Sequence, residues 1–370
     1  MSAAALDSLE TPVAVIDPER VRRNAERVAR YLDEHGLGWR PHVKTHKSLR
    51  VARIQTEAGA RGLTVATPRE AEVMSEVSDD LLLAYPPVGE SKLRRLMALP
   101  ERVRLAVALD SSEVLEGLSR AAAGAGRTVD VLVELDVGLR RVGVPTPGHA
   151  VALAERVARA PGVRYRGLMF YPGHIRVARD RQDEDLARLN ALLEATYRAL
   201  GDAGLPPEVV SGGSTPTLWR SHEIGGLTEV RAGSCIFNDR ESASVDAAGW
   251  DDVAYTVLAT VVSTAVPGQA VVDAGSKALS KEPRGGDGTF GVLLDRPEVP
   301  LTSLSEEHGV LDLSASTWRP RVGERVRVVP NHVCVSVNLQ ELLVAWDGAS
   351  LERWPLEGRG RDRYPDASHA

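Results

Sequence analysis

Cysteine is scarce in this chain of 370 residues, which has only Cys235 and Cys334. A disulfide framework is therefore excluded, and a reducing compartment fits. A basic excess is also lacking, since the net charge is −6 and the isoelectric point about 5.9. A general binder of nucleic acid or of an anionic membrane needs a basic face, so neither partner is expected. No apolar run comes near the ~20 residues that span a bilayer. The opening "MSAAALDSLETP" has no basic region and no long apolar core, so no secretory signal is expected and the cytoplasm is the expected location. No G-x-G-x-x-G follows the first apolar run, which counts against an open dinucleotide-binding sheet. Hydrophobic residues at 43% and charged residues at 26% are ordinary for a globular protein.

From Gly38 to about Ser234 one pattern recurs: a short apolar run, a turn, then an amphipathic stretch. The runs are "GWRPHV", "GLTVAT", "DLLLAYP", "VRLAVAL", "VDVLVELDV", "VRYRGLMFY", "PEVVSGG" and "TEVRAGS". Between them, stretches such as "SLRVARIQTEAGA" and "LARLNALLEATYRAL" place apolar residues three and four apart, as helices on a sheet do. Eight strands alternating with helices predict an α/β fold of parallel strands closed into a (β/α)8 barrel, over residues 12–240. After Asp239 the segments are Val- and Thr-rich and broken by Gly, Pro and Asp. They predict a mostly antiparallel β domain over 241–370 together with 1–11. "TPVAVID" (11–17) is a candidate strand of that second domain, and the polar "LEGRGRDRYPDASHA" reads as a frayed tail.

Candidate chemistry gathers at strand ends, where barrels of this kind place their sites. "RPHVKTHKS" carries Lys44 and, three residues on, Lys47. Lys44 is the one positioned to face the barrel mouth. Lys47, at a helix entry, is expected in water or against an anion. Position alone leaves the bland reading, two solvated turn residues, equally open. "SGGSTPT" and "RAGSC" follow the last two strands, where Gly213, Ser214, Thr215, Gly233 and Ser234 suit a phosphate held at a helix N-terminus. "DVGLRRVGV" adds an arginine past a third strand. A lysine, a phosphate cradle and a buried arginine point to pyridoxal phosphate. In "PNHVCVSVNL", read as a strand, His332 and Cys334 share a face and form a zinc-type pair. Spacing alone favours a plain half-buried histidine beside a buried cysteine.

With "DVGLRRVGV", "GLMFYPGH", "GGSTPT", "RAGSCIFND", "VVDAGSKALS", "SLSEEHG" and, most specifically, "PHVKTHK" and "PNHVC", the chain resembles the fold-type III pyridoxal-phosphate enzymes. It is most similar to the D-threonine aldolase and D-serine dehydratase group, which shares its barrel with alanine racemase. The resemblance implies Lys44 as the Schiff-base lysine and Arg141 beside the cofactor's phenolic oxygen. It implies Tyr171 packed on the cofactor, and Gly213, Ser214, Thr215, Gly233 and Ser234 around its phosphate. His42, His46 and His174 are second-shell candidates with a structural role equally open, and the group facing the pyridine nitrogen is unassigned. The resemblance further implies a divalent metal on His332 and Cys334, with the softer cysteine favouring zinc over manganese or magnesium. It implies a homodimer. The expected activity is a lyase on a small D-3-hydroxy amino acid. Dehydration is favoured over retro-aldol cleavage, with a racemase or a non-catalytic cofactor carrier as further alternatives.

Overall fold

The computed structural model describes residues 6–283 and 287–361. It divides into two compact units. One comprises residues up to Ala25 with Ser234–Leu356, and the other Glu26–Gly233 with the segment from Glu357. This division differs at both ends from the expected 12–240 and 241–370. Strand β1 (Val13–Ile16) pairs with strands of the second sheet, the partnership expected of "TPVAVID". Helix α1 (Pro18–Glu34) carries the chain across to the barrel unit. At the other end, Glu357 Oε2 accepts the amide of Leu49 at 3.0 Å, and Gly358 donates to the Lys47 carbonyl at 2.8 Å. Residues 356–361, expected to fray, are thus tied to the chain, and 362–370 lie outside the described residues.

The barrel unit holds all eight expected strands: β2 (Gly38–Trp39), β3 (Leu63–Val65), β4 (Asp80–Leu83), β5 (Arg104–Leu109), β6 (Val129–Leu135), β7 (Val163–Phe170), β8 (Val209–Gly212) and β9 (Glu229–Val230). They run parallel in the order β2-β9-β8-β7-β6-β5-β4-β3, and a parallel bridge from His42 to Thr64 joins the two ends. The intervening helices are α2 (Leu49–Glu57), α3 (Pro68–Met74), α4 (Glu90–Met97), α5 (Ser112–Gly124), α6 (Pro147–Arg159) and α7 (Asp183–Asp202). Local sequence starts them cleanly. Thr67 and Thr146 cap α3 and α6 by accepting the amides of Glu70 and His149, each with proline in the first turn.

Strand period two sorts the barrel interior into layers. At the strand starts Arg40 bridges Glu229 (2.8 Å) and Asp80 (2.7 Å), while Asp130 holds Arg164 (2.8 Å). Next comes an apolar plug of Leu82, Ala108, Leu132 and Met169. Beyond it, toward the strand ends, polar groups return: Glu134 on β6, Ser211 on β8 and Arg231 after β9, all buried.

The second unit is one nine-stranded sheet in the order β11-β14-β13-β12-β15-β10-β1-β16-β17. Its strands after β9 are β10 (Tyr255–Ser263), β11 (Gln269–Val272), β12 (Gly291–Leu293), β13 (Arg296–Leu304), β14 (Gly309–Asp312), β15 (Arg325–Pro330), β16 (Leu342–Trp346) and β17 (Leu351–Pro355), and its short helices are α8 (Arg240–Ser244), α9 (Ser276–Leu279) and α10 (Val333–Leu339). Pairing is antiparallel except between β1 and β16. Val15, Leu258 and Val344, from β1, β10 and β16, form one of its core clusters.

Replacing Arg40 by Ala leaves the Glu229 carboxylate partly buried without this partner, and leaves Asp80 with Arg104 alone. Removal of one partner from such a network costs about 3 kcal/mol. Urea denaturation of R40A should show a loss of that order, and a loss below ~1 kcal/mol would mean the ion-pair layer is hydrated ornament.

Candidate active site

The two lysines of "HVKTHK" have different fates. After β2 the chain makes a single 3-10 turn, Val43–Thr45, whose preceding residue His42 is extended and accepts the Lys44 amide at Nδ1 (3.5 Å). A side chain at Gly233 would place its Cβ 2.5 Å from the His42 carbonyl, so only glycine lets the β9 loop come this close. Lys47 adopts φ +54° and drives Nζ to within 2.7 Å of Glu70 Oε1. Glu70 is fully buried, and its other oxygen accepts the Ala66 amide at 2.7 Å. Lys47 thus meets the anion that its position called for, and it is locked there. Half-buried Lys44 instead has Nζ 5.8 Å from the centre of the Tyr171 ring. The Arg141 guanidinium lies 5.1 Å from the same ring. A Cβ on Gly173 would stand 2.2 Å from that ring, so the glycine is what gives Tyr171 its place.

The neighbouring histidines separate as well. His46 is buried, accepts the Ser48 amide at Nδ1 (3.1 Å) and contacts Gln55 Oε1 through Nε2 (3.0 Å). Burial takes its pKa down to about 3, so it is a neutral structural residue. His42 is held well below the usual range by burial, then by Lys44, Arg231 and Lys47. His174 is exposed, with its ring against Gly138.

Two expectations need correction. Arg141 is exposed, because its loop turns outward past β6; the buried arginine is Arg231, whose guanidinium donates to Ser211 Oγ (3.0 Å) and the Phe170 carbonyl (2.7 Å). The segment after the β8 loop is a six-residue 3-10 stretch, Leu218–Glu223, and not an α-helix. An α-helical dipole is therefore missing from the loop. Gly213 (φ +80°) and the buried Ser214 and Thr215 remain, with Ser214 Oγ 2.9 Å from Thr217 Oγ1. Gly233 follows β9, and Ser234, next in the chain, begins the other unit.

That other unit carries a second polar centre. The expected strand through "PNHVCVSVNL" ends at Pro330, and helix α10 (Val333–Leu339) follows, with His332 extended at its N-cap. Tertiary contacts override the β-propensity of the valines. Asp239 Oδ2 accepts the Val333 amide at 2.9 Å, capping the helix from outside, and the Ser336 hydroxyl donates to the Ala278 carbonyl at 2.8 Å. The strand argument for a shared His332–Cys334 face therefore fails. The first turn of the helix brings the pair together instead, and Cys334 hydrogen-bonds His332. Asp239 itself is the N-cap of helix α8 (Arg240–Ser244) through Ser242. Its Oδ2 lies 3.2 Å from His332 Nδ1, and Glu241 Oε2 lies 3.4 Å from the same nitrogen. Asp239, Glu241 and His332 bring ligand atoms within 4.8 Å of one another. Burial opposes a charged His332, yet Cys334 and Asp239 push its pKa up to about 11. An imidazole, a thiol and two carboxylates are a donor set that fits a divalent transition metal.

Residues 16–241 match the family described as alanine racemase, N-terminal domain, and 254–346 match a serine dehydratase domain. D-threonine aldolase from an Arthrobacter species is 32% identical, covering 97% of this chain and 95% of its own. The crystal structure of D-threonine aldolase from Filomicrobium marinum superposes with a TM-score of 0.88 at 34% identity, covering 96% and 97%. D-threo-3-hydroxyaspartate dehydratase from a Delftia species is 34% identical over 89% of this chain and 92% of its own. Solved forms of a dehydratase of that name include a His-to-Ala mutant and a Cys-to-Ala mutant in the metal-free form, the latter with TM-score 0.87, 31% identity and coverage of 96% and 99%. This chain is a fold-type III pyridoxal-phosphate enzyme of the D-threonine aldolase and D-serine dehydratase family.

Within this family member, Lys44, Arg141, Tyr171, Gly213, Ser214, Thr215 and Gly233 all follow C-terminal ends of barrel strands. Tyr171 gathers Lys44 and Arg141 about its ring, while His332 and Cys334 stand together in the other unit. Sequence reasoning missed Glu134, Arg231, Asp239 and Glu241. Period two along "VDVLVELDV" and "TEVRAGS" is the signal that would have pointed Glu134 and Arg231 inward. For Asp239 and Glu241 no local signal existed, since each meets His332 across more than ninety positions of chain.

Replacing Lys47 by Met strands the buried Glu70 carboxylate, at a cost of about 3 kcal/mol. Thermal and urea unfolding of K47M should register that loss, whereas a stability matching the unmutated protein would show that the pair contributes nothing.

Proposed function

We propose that this enzyme is a metal-assisted, pyridoxal-phosphate-dependent lyase acting on D-3-hydroxy amino acids, with dehydration to a keto acid and ammonia as its main outcome. The observation that carries the reading is the split between the lysines: Glu70 holds Lys47, while Lys44 is left beside Tyr171. Lys44 Nζ would hold the cofactor, Tyr171 would pack on its ring, and the Gly213–Thr215 and Gly233–Ser234 loops would receive its phosphate. Bound there, pyridoxal phosphate supplies an electron sink for bonds at the substrate's Cα.

The chain's own part is proton management and orientation. Lys44 Nζ is its base for the Cα proton, and a single base suits one-handed chemistry better than racemisation, which needs a base on each face. His332 and Cys334 would hold the metal, whose Lewis acidity helps the β-hydroxyl depart as water. Asp239 Oδ2 lies beside His332 Nδ1, where it would fix the orientation of the ring toward the metal. Dehydration is favoured because the pairing of His332 with Cys334 resembles the dehydratase side of the family, and the chain is 34% identical to a D-threo-3-hydroxyaspartate dehydratase. Retro-aldol cleavage is the second reading, supported by the similarity to D-threonine aldolases. The same groups would serve it, with a base on the hydroxyl proton instead of the Cα proton.

D-threonine with added zinc decides between them. Dehydration yields 2-oxobutanoate and ammonia, and cleavage yields glycine and acetaldehyde. Failure to turn over D-threonine, D-serine or D-threo-3-hydroxyaspartate would overturn the lyase reading. K44A should lose the visible absorbance that pyridoxal phosphate gives the unmutated protein, and K47M should keep it; the reverse would refute the lysine assignment. Replacing Asp239 by Asn should weaken zinc binding about 10- to 100-fold in a chelator competition. Unchanged affinity would show that Asp239 does not orient His332. The homodimer belongs to the same proposal, and light scattering should return twice the chain mass of 39.8 kDa.

A further inference from the structure

Glu134 is a buried acid that the chemistry above does not use. It sits on β6, two residues beyond Leu132, and shares that residue's inward face. Leu132 belongs to the apolar plug with Leu82, Ala108 and Met169, so Glu134 opens the next layer toward the strand ends. Its neighbour across the β6–β7 ladder is Met169, which offers no hydrogen bond of consequence. Glu134 is 3% exposed, and its Oε2 is buried without a hydrogen-bond partner. A buried carboxyl oxygen left in that state has given up water without a partner in exchange, so it calls for an explanation.

The charges facing Glu134 come from three loops. Arg231 follows β9, Arg141 and Asp136 follow β6, and Asp110 follows β5. Burial raises the pKa of Glu134 to about 7, Arg231 and Arg141 pull it back, and Asp110 and Asp136 add to the rise. In return, burial opposes the charge of Arg231, which Glu134 and then Glu229 support. The arginines are the same two that bear on Tyr171: Arg141 lies over its ring, and Arg231 feels its phenol. Three cations, Lys44, Arg141 and Arg231, therefore gather about Tyr171, and Glu134 is a buried acid that offsets the two arginines.

We propose that Glu134 is a positioning residue: through Arg141 and Arg231 it sets the positive charge felt at Lys44 Nζ. This inference rests on the cofactor reading above. An ionised Glu134 favours the protonated form of the nitrogen that joins Lys44 to the cofactor. Its removal disfavours that form, because the arginines then act unopposed. One buried charge acting through neighbouring arginines in a partly polar interior is worth a shift of about one pH unit.

The test is a pH titration of the visible absorbance of the pyridoxal-phosphate-loaded protein, unmutated and as E134Q and E134D, with folding checked by circular dichroism. The midpoint should fall by about one unit in E134Q and return most of the way in E134D, which keeps the charge. If E134Q does not fold, E134D alone must still displace the midpoint, because its shorter arm moves the charge away from the arginines. Identical midpoints in all folded variants overturn this inference alone. An unmutated protein that takes up no pyridoxal phosphate overturns the cofactor reading and this inference together.

Discussion

A buried charge must meet an opposite charge or a full set of hydrogen bonds, and this constraint organises the molecule. At the base of the barrel Arg40 satisfies it with Glu229 and Asp80. At the rim Lys47 satisfies it with Glu70. In the β unit Asp239 satisfies it four times over, with His332, the amides of Val333 and Ser242 and the Ser242 hydroxyl. In the barrel, paired groups of this kind are scaffold. The groups that stand outside such pairs are where chemistry becomes available: Lys44, which faces an aromatic ring rather than a carboxylate, and Glu134, with one buried oxygen unsatisfied.

Seen this way, the cluster "HVKTHK" is an economical arrangement. Its first histidine caps the turn that presents Lys44, and its second is a neutral brace between Ser48 and Gln55. Its second lysine ties the turn to helix α3 through Glu70. Three of the four groups hold the fourth in place. The β unit repeats the logic with different chemistry. The carboxylate that caps α8 also caps α10 and holds the imidazole between them, so one side chain aligns two helices and a ligand.

Much of the architecture was legible from periodicity. Eight apolar runs at strand length, separated by amphipathic helices, forced a parallel sheet, because a crossover helix returns each strand in the same direction. The reading failed at "VCVSVNL", where β-branched residues form a helix. Propensity is a weak prior, and a cap supplied from Asp239, far away in sequence, outweighed it. It failed also for Arg141, since a loop residue's burial depends on how the loop turns and strand spacing says nothing of that.

The sequence by itself determined the fold class, the family and the loops that carry the chemistry, because strand period, helix period and motif spacing are local properties of the chain. Which lysine is locked and which is available, that Arg231 is the buried arginine, and that two carboxylates attend His332 were decided only by the tertiary structure. These facts depend on distances between residues far apart in the chain, and electrostatic pairing follows distance in space.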